Sequence, residues 1–322
     1  MICGVLPVNN RLTINEGKRM RIGIIGGGSI GLLFAYYLSQ SFSVNLYTRT
    51  GNQAEKLNHD GVYLKEQEEM FRGRVVASPI EKWSGQEDFT IITVKQYQLN
   101  NVLARMSSPS VRKGPLLFLQ NGMGHLDAIS LLTNKEIYVG SVEHGALRIN
   151  ENTVSHNGVG VTKVASYRGD SECLRSFLSL SPRVFPFVYE ENYYQMLIRK
   201  LLVNAMINPL TAILQVKNGQ LVENSEYLHT LTQLFNELAE VLKLENRQDS
   251  WQHVLTVCRN TAQNQSSMLK DLLNHQKTEV DAILGYLLKE AEKTGCSTPL
   301  MRAFYHLIKG KEHEGRGWNN DV

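Results

Sequence analysis

At 322 residues and 42% hydrophobic content the chain can fill two cores, so two domains are expected. A formal net charge of +3 without a basic cluster argues against nucleic acid or a membrane surface as partner. Cys3, Cys173, Cys258 and Cys296 are scattered without disulfide spacing, which suits a reducing cytoplasm, and the nine histidines show no metal-ligand spacing.

Residues 1–19 carry no strand or helix pattern, and Val5-Leu6-Pro7-Val8 is too short for the core of a signal peptide. The expectation is an unpatterned leader, with Met20 as the biological start. Purine-rich codons for Asn15 to Arg19 would then belong to a ribosome-binding site, and peptides from 1–19 in the native protein would refute this.

The pattern then becomes regular. Residues 21–25 read as a short buried strand and Ser29 to Leu38 as a helix, with Gly26-x-Gly28-x-x-Gly31 between them. In this setting Gly26 permits the tight turn, Gly28 lets backbone approach a pyrophosphate, and Gly31 lets the helix close on the strand. With Gly27, Ser29 and Ile30 they form the candidate cofactor turn, and free N–H groups at the helix start suit phosphate. A second strand, 43–47, leads to Tyr47-Thr48-Arg49, where an acid would bond the ribose hydroxyl of NAD. No acid is present, and the planar fork of Arg49 suits a 2′-phosphate, so NADP(H) is the expected cofactor.

Further strands are expected at 89–94 and 115–119, with helices at 51–59 and 97–106. Alternation of this kind predicts a parallel sheet with helices on both faces. The strand at 89–94 runs into Lys95, and the next into Gln120-Asn121-Gly122-Met123-Gly124, both at the carboxyl edge where open α/β sheets hold ligands. Strand patterns continue around 137–149, 152–155, 159–166 and 183–188. From Tyr189 onward nearly everything reads as helix, in segments near 190–215, 226–244, 249–263, 268–274, 279–294 and 300–309. The expected fold class is α/β: a Rossmann-type doubly wound sheet over 20–188, then an all-helical domain over 189–322. No apolar run of the ~18 residues needed to span a membrane is expected.

One helical segment carries a polar stripe. Lys200, Asn204 and Asn208 recur every four residues among Leu197, Leu201, Leu202, Met206 and Ile207, and so share one face. An ammonium and two amides facing an apolar interior are costly unless something polar meets them, which marks a site; snorkelling of Lys200 to solvent is the alternative. Glu279 is expected in the first turn of a helix whose apolar stripe begins at Val280, where a carboxylate also complements the helix dipole.

Taken in order, the glycine fingerprint, Thr93-Val94-Lys95, Gln120-Asn121-Gly122-Met123-Gly124, the block from Lys200 through Asn204 and Asn208 to Ala212, Ser266-Ser267-Met268-Leu269-x-Asp271 and Thr278-Glu279-Val280-Asp281 resemble the ketopantoate reductase family over residues 20–310. The resemblance implies NADPH-dependent reduction of 2-dehydropantoate in pantothenate and coenzyme A synthesis. It implies Lys200 as general acid and Glu279 as acceptor for the substrate's 4-hydroxyl. Asn204 and Asn208 would line the substrate pocket, Ser267 and Asn121 would help hold the substrate, and Arg49, Lys95 and Asn121 would serve the cofactor side. The second fingerprint residue, Gly27, and the leader are its departures from the family pattern. Related 2-oxo-acid reductases of other substrate range and a catalytically inactive NADPH-sensing regulator remain alternative readings, and a homodimer is left open as the assembly.

Overall fold

A computed structural model describes residues 19–314; apart from Arg19, the expected leader lies outside them. The described residues supply twelve strands: β1 (Arg21–Ile25), β2 (Ser43–Thr48), β3 (Val62–Glu66), β4 (Glu69–Gly73), β5 (Val76–Pro79), β6 (Phe89–Ile92), β7 (Leu116–Phe118), β8 (Ile137–Val142), β9 (Gly145–Arg148), β10 (Thr153–Gly158), β11 (Thr162–Arg168) and β12 (Phe187–Tyr189). Eight of them form one sheet in the order β12-β11-β8-β7-β6-β1-β2-β5. Ile22, Ile24 and Ile91 on one face and Ile25, Ile92 and Phe118 on the other are all buried, because both faces of these central parallel strands are covered. The crossovers are α1 (Ser29–Leu38), α2 (Gly51–Asp60) and α3 (Gln96–Met106). With α4 (Leu126–Ser130) and α5 (Glu172–Leu180) they complete the α/β layers.

The fold class is as expected, but the sheet is not parallel throughout: β11 runs antiparallel to β8. The chain leaves β8 through β9 and β10 and returns into β11 without the crossover helix that usually joins parallel neighbours. The expected strand region 137–149 accordingly breaks at Glu143-His144 into β8 and β9, which belong to different sheets. That second sheet, of order β4-β3-β10-β9, was not anticipated.

The second half is built around α6 (Tyr193–Leu214), started by Asn192, whose side chain accepts from the Gln195 N–H. Pro209 sits inside it. The helix continues to Leu214, and just past the proline Thr211 Oγ1 bonds the Ile207 carbonyl and, at 2.8 Å, Ser266 Oγ. Around α6 lie α7 (Gln220–Glu223), α8 (Ser225–Val241), α9 (Arg247–Asn260), α10 (Ser267–Leu273), a π-turn (Asp281–Gly285), α11 (Tyr286–Thr294) and α12 (Pro299–Glu314). Against expectation, α6 is long and apolar enough to span a membrane by length and composition. Its apolar window is 67% buried inside the fold, as the core helix of a bundle would be.

Candidate functional site

The cofactor end is built by β1, the turn after it, and α1. Gly26 has φ +118°, a value that side chains with a Cβ rarely adopt. A Cβ on Gly31 would stand 1.7 Å from the Gly26 carbonyl oxygen, so only glycine lets α1 close on the turn. At Gly28 a Cβ would meet nothing within 4 Å, which leaves free the space a pyrophosphate needs. Arg49 follows β2 with its side chain exposed, and among the described residues it has no ion-pair partner. An open glycine turn, a helix N-terminus and an unpaired guanidinium fit a phosphorylated dinucleotide.

The candidate catalytic end hangs on α6. Lys200 Nζ donates to the carbonyl oxygen of Val142, the last residue of β8. Burial pushes the Lys200 amine down to about 8, opposed by the carboxylates of Glu143 and Glu279. Asn204 and Asn208 follow along the same face. The bond between Thr211 and Ser266 docks the start of α10, and hence Ser267, against α6, and Ser266 Oγ also caps the Leu269 N–H.

Glu279 stands across from these residues. Its carboxylate accepts from Asn121 Nδ2 at 2.8 Å, joining the loop after β7 to the helical half. Gly122 makes that approach feasible: a Cβ there would be 2.2 Å from the Ala282 carbonyl oxygen, and its φ is +77°. The helix expected over 279–294 forms over 280–294, with the π-turn in its first part and α11 after it, and Glu279 lies just before it rather than in its first turn. Buried Glu312 on α12 accepts from both the Thr278 N–H and hydroxyl and so anchors the approach to the turn.

Lys95, expected on the cofactor side, has its Nζ 2.8 Å from both oxygens of Asp271 on α10. Burial weakens the lysine's charged form, but Asp271 outweighs it and holds the ammonium above the ordinary lysine range. Burial likewise lifts the Asp271 carboxyl, against the pull of Lys95.

A single cleft of about 2800 Å³ takes in every candidate residue except Gly31, whose place is against the turn. That is several times an ordinary small-ligand pocket, as an extended cofactor plus a small acid would need. Sequence reasoning missed the Val142 carbonyl, which carries no residue-type signal. The place of Asp271 in the cleft does have a signal, since it lies four residues after Ser267 on one helix face.

Two family models match the chain: ketopantoate reductase PanE/ApbA over residues 22–169 and its C-terminal region over 192–312. A 2-dehydropantoate 2-reductase of Bacillus subtilis is 42% identical over 295 residues, covering 91% of this chain and 98% of the relative. A crystal structure of a probable 2-dehydropantoate 2-reductase from Bacillus subtilis superposes with TM-score 0.85 at 41% identity, over 91% of this chain and all of that one (100%). D-mandelate dehydrogenase, solved with NADH and anilino(oxo)acetate, shares the fold with TM-score 0.84 at 24% identity, over 92% of this chain and 100% of its own.

Proposed function

The chain belongs to the ketopantoate reductase family, and on that premise we propose that it reduces 2-dehydropantoate to pantoate with NADPH, a step of pantothenate and coenzyme A synthesis. The observation that carries the reading is the Lys200 amine, held at about 8 inside the cleft that also contains the glycine turn and Glu279. We take 20–188 as the cofactor region and 189–322 as the substrate region, and the working assembly as a cytoplasmic homodimer.

The residues at 26–31, Arg49, Lys95 and Asn121 would hold the cofactor, whose nicotinamide supplies a hydride to the substrate's C2 carbonyl carbon. Lys200 polarises the C2 oxygen as negative charge develops and then gives it a proton. The Val142 carbonyl takes one ammonium hydrogen, which aims the amine and leaves its other hydrogens for substrate. Asn204, Asn208 and Ser267 supply neutral polar contacts to the substrate. Asn121 fixes one oxygen of Glu279, and the carboxylate accepts the hydrogen of the 4-hydroxyl.

Steady-state NADPH oxidation across a small panel of 2-oxo acids tests the proposal. The expected result is a strong preference for 2-dehydropantoate over 2-oxoisovalerate and phenylglyoxylate. A preference for a branched or aromatic oxo acid lacking the 4-hydroxyl would replace it with another 2-oxo-acid reductase.

A further inference from the structure

The unanticipated second sheet reaches the cofactor end at two points. Gln53, three residues into α2 and only 5% exposed, uses its side-chain amide twice. Nε2 donates to the Gly27 carbonyl at 2.8 Å and to the Glu151 carbonyl, in the β9–β10 connection, also at 2.8 Å. A Cβ on Gly27 would stand 2.6 Å from that same nitrogen, so glycine is what lets Gln53 lie on the turn. The second point is Arg148, whose backbone N–H donates to Ser29 Oγ at 3.0 Å, in the first turn of α1.

These bonds have a directional consequence. The peptide between Gly27 and Gly28 is planar and trans, so a carbonyl drawn toward Gln53 turns the Gly28 N–H to the opposite side. Gly28 is the residue with nothing within 4 Å of a would-be Cβ. The β9–β10 connection is itself held in place: Asn152 Nδ2 bonds the Gly61 carbonyl at 3.0 Å, and the Tyr63 N–H bonds the Asn152 carbonyl at 2.8 Å. On its cleft side lies the exposed Arg148 side chain, whose Nε bonds the Asn150 carbonyl at 2.9 Å. Among the described residues it has no carboxylate partner.

Resting on the NADPH reading above, we propose that Gln53 and Arg148 form a second half of the phosphate site: Gln53 as the positioning residue that aims the Gly27–Gly28 peptide at the pyrophosphate, and Arg148 as a guanidinium that contacts it. Arg49 then reads the 2′-phosphate, and the β9–β10 connection closes on the pyrophosphate from the other side. Gln53 must present an amide here, because a carboxylate would set lone pairs against two carbonyl oxygens.

Direct binding of NADPH to the intact chain, by titration calorimetry, tests this with Gln53→Met, Gln53→Glu, Arg148→Ala and Arg148→Lys. Adenosine 2′-phosphate, which carries the group for Arg49 but no pyrophosphate, is the second probe. Each of Gln53→Met and Arg148→Ala should raise the NADPH Kd by about tenfold, Gln53→Glu by more, and Arg148→Lys by less. Arg148→Ala should also flatten the dependence of Kd on ionic strength. The adenosine 2′-phosphate Kd should hold within about twofold throughout. Equal weakening of both probes would make Gln53 and Arg148 mere supports of the domain, and an unchanged NADPH Kd would remove them from the site; either overturns the proposal. Absence of NADPH binding by the unaltered chain would instead sink the cofactor reading itself, and this proposal with it.

Discussion

Lys95 and Asp271 join the two halves of the molecule, the lysine Nζ lying 2.8 Å from each oxygen of the aspartate. One follows β6 at the carboxyl edge of the sheet and the other lies on α10. Their side chains are 33% and 15% exposed, so the pair is only partly screened by water. Asp271→Asn should loosen the cleft, and a double-mutant cycle with Lys95→Met should return about 1 kcal/mol of coupling in urea unfolding. The lysine's raised value means that its share of stability is fully present below the ordinary lysine pKa and is lost as pH rises through the folded one. Zero coupling at neutral pH would reduce the pair to an incidental contact.

On the proposed reading, cofactor choice depends on Arg49. Arg49→Ala should raise the KM for NADPH and leave that for NADH nearly unchanged. A charged hydrogen bond of ~1.5–3 kcal/mol corresponds to about 10- to 150-fold in kcat/KM. Equal use of the two cofactors by the unaltered enzyme would count against this assignment.

Glu279 is expected to read one hydroxyl. Glu279→Ala should cost on the order of 10²-fold on 2-dehydropantoate and far less on 2-oxoisovalerate, since a polar site discriminates by its unmet hydrogen bond. Losing Glu279 also leaves Asn121 Nδ2 without its acceptor, so Asn121→Ala should reproduce part of the effect. Equal losses on both substrates would make Glu279 a strut between the β7 loop and the π-turn.

Much of this was legible in the sequence, for identifiable reasons. Ile22, Ile24, Ile25 and the glycines after them form a short buried strand and turn that tolerate few alternatives, and Lys200, Asn204 and Asn208 share a face by helix period alone. The second sheet was not legible: four of the five residues of β4 are exposed, so it has no inside–outside alternation to read. Gln53 looks like any polar residue in the first turn of a surface helix until the Gly27 and Glu151 carbonyls are seen against it. The π-turn after Glu279 was hidden because Val280, Ile283, Leu284 and Leu287 keep an ordinary helical stripe through it. Partners that are backbone carbonyls, such as that of Val142, leave no trace in residue type.

An ammonium half-buried in the cleft with a depressed value is costly to the fold, so Lys200→Met should unfold at higher urea than the unaltered chain at pH 7 while losing activity. Because the folded value is depressed, the unaltered chain should gain stability relative to this variant as pH rises from about 8 toward the ordinary lysine value. A destabilised Lys200→Met would mean that the ammonium's bond to Val142 outweighs its burial.

The central claim is that Lys200 delivers the proton to reduced 2-dehydropantoate, and the pH profile of kcat/KM at saturating NADPH tests it most directly. The expected profile for the unaltered enzyme falls above about pH 8, as the amine loses the proton it must donate. Lys200→Ala should bind NADPH yet turn over roughly 10²–10⁴-fold more slowly, with that basic limb gone. A Lys200→Ala enzyme with unaltered turnover, or one that keeps the same basic limb, would contradict the claim and make Lys200 a structural residue of α6.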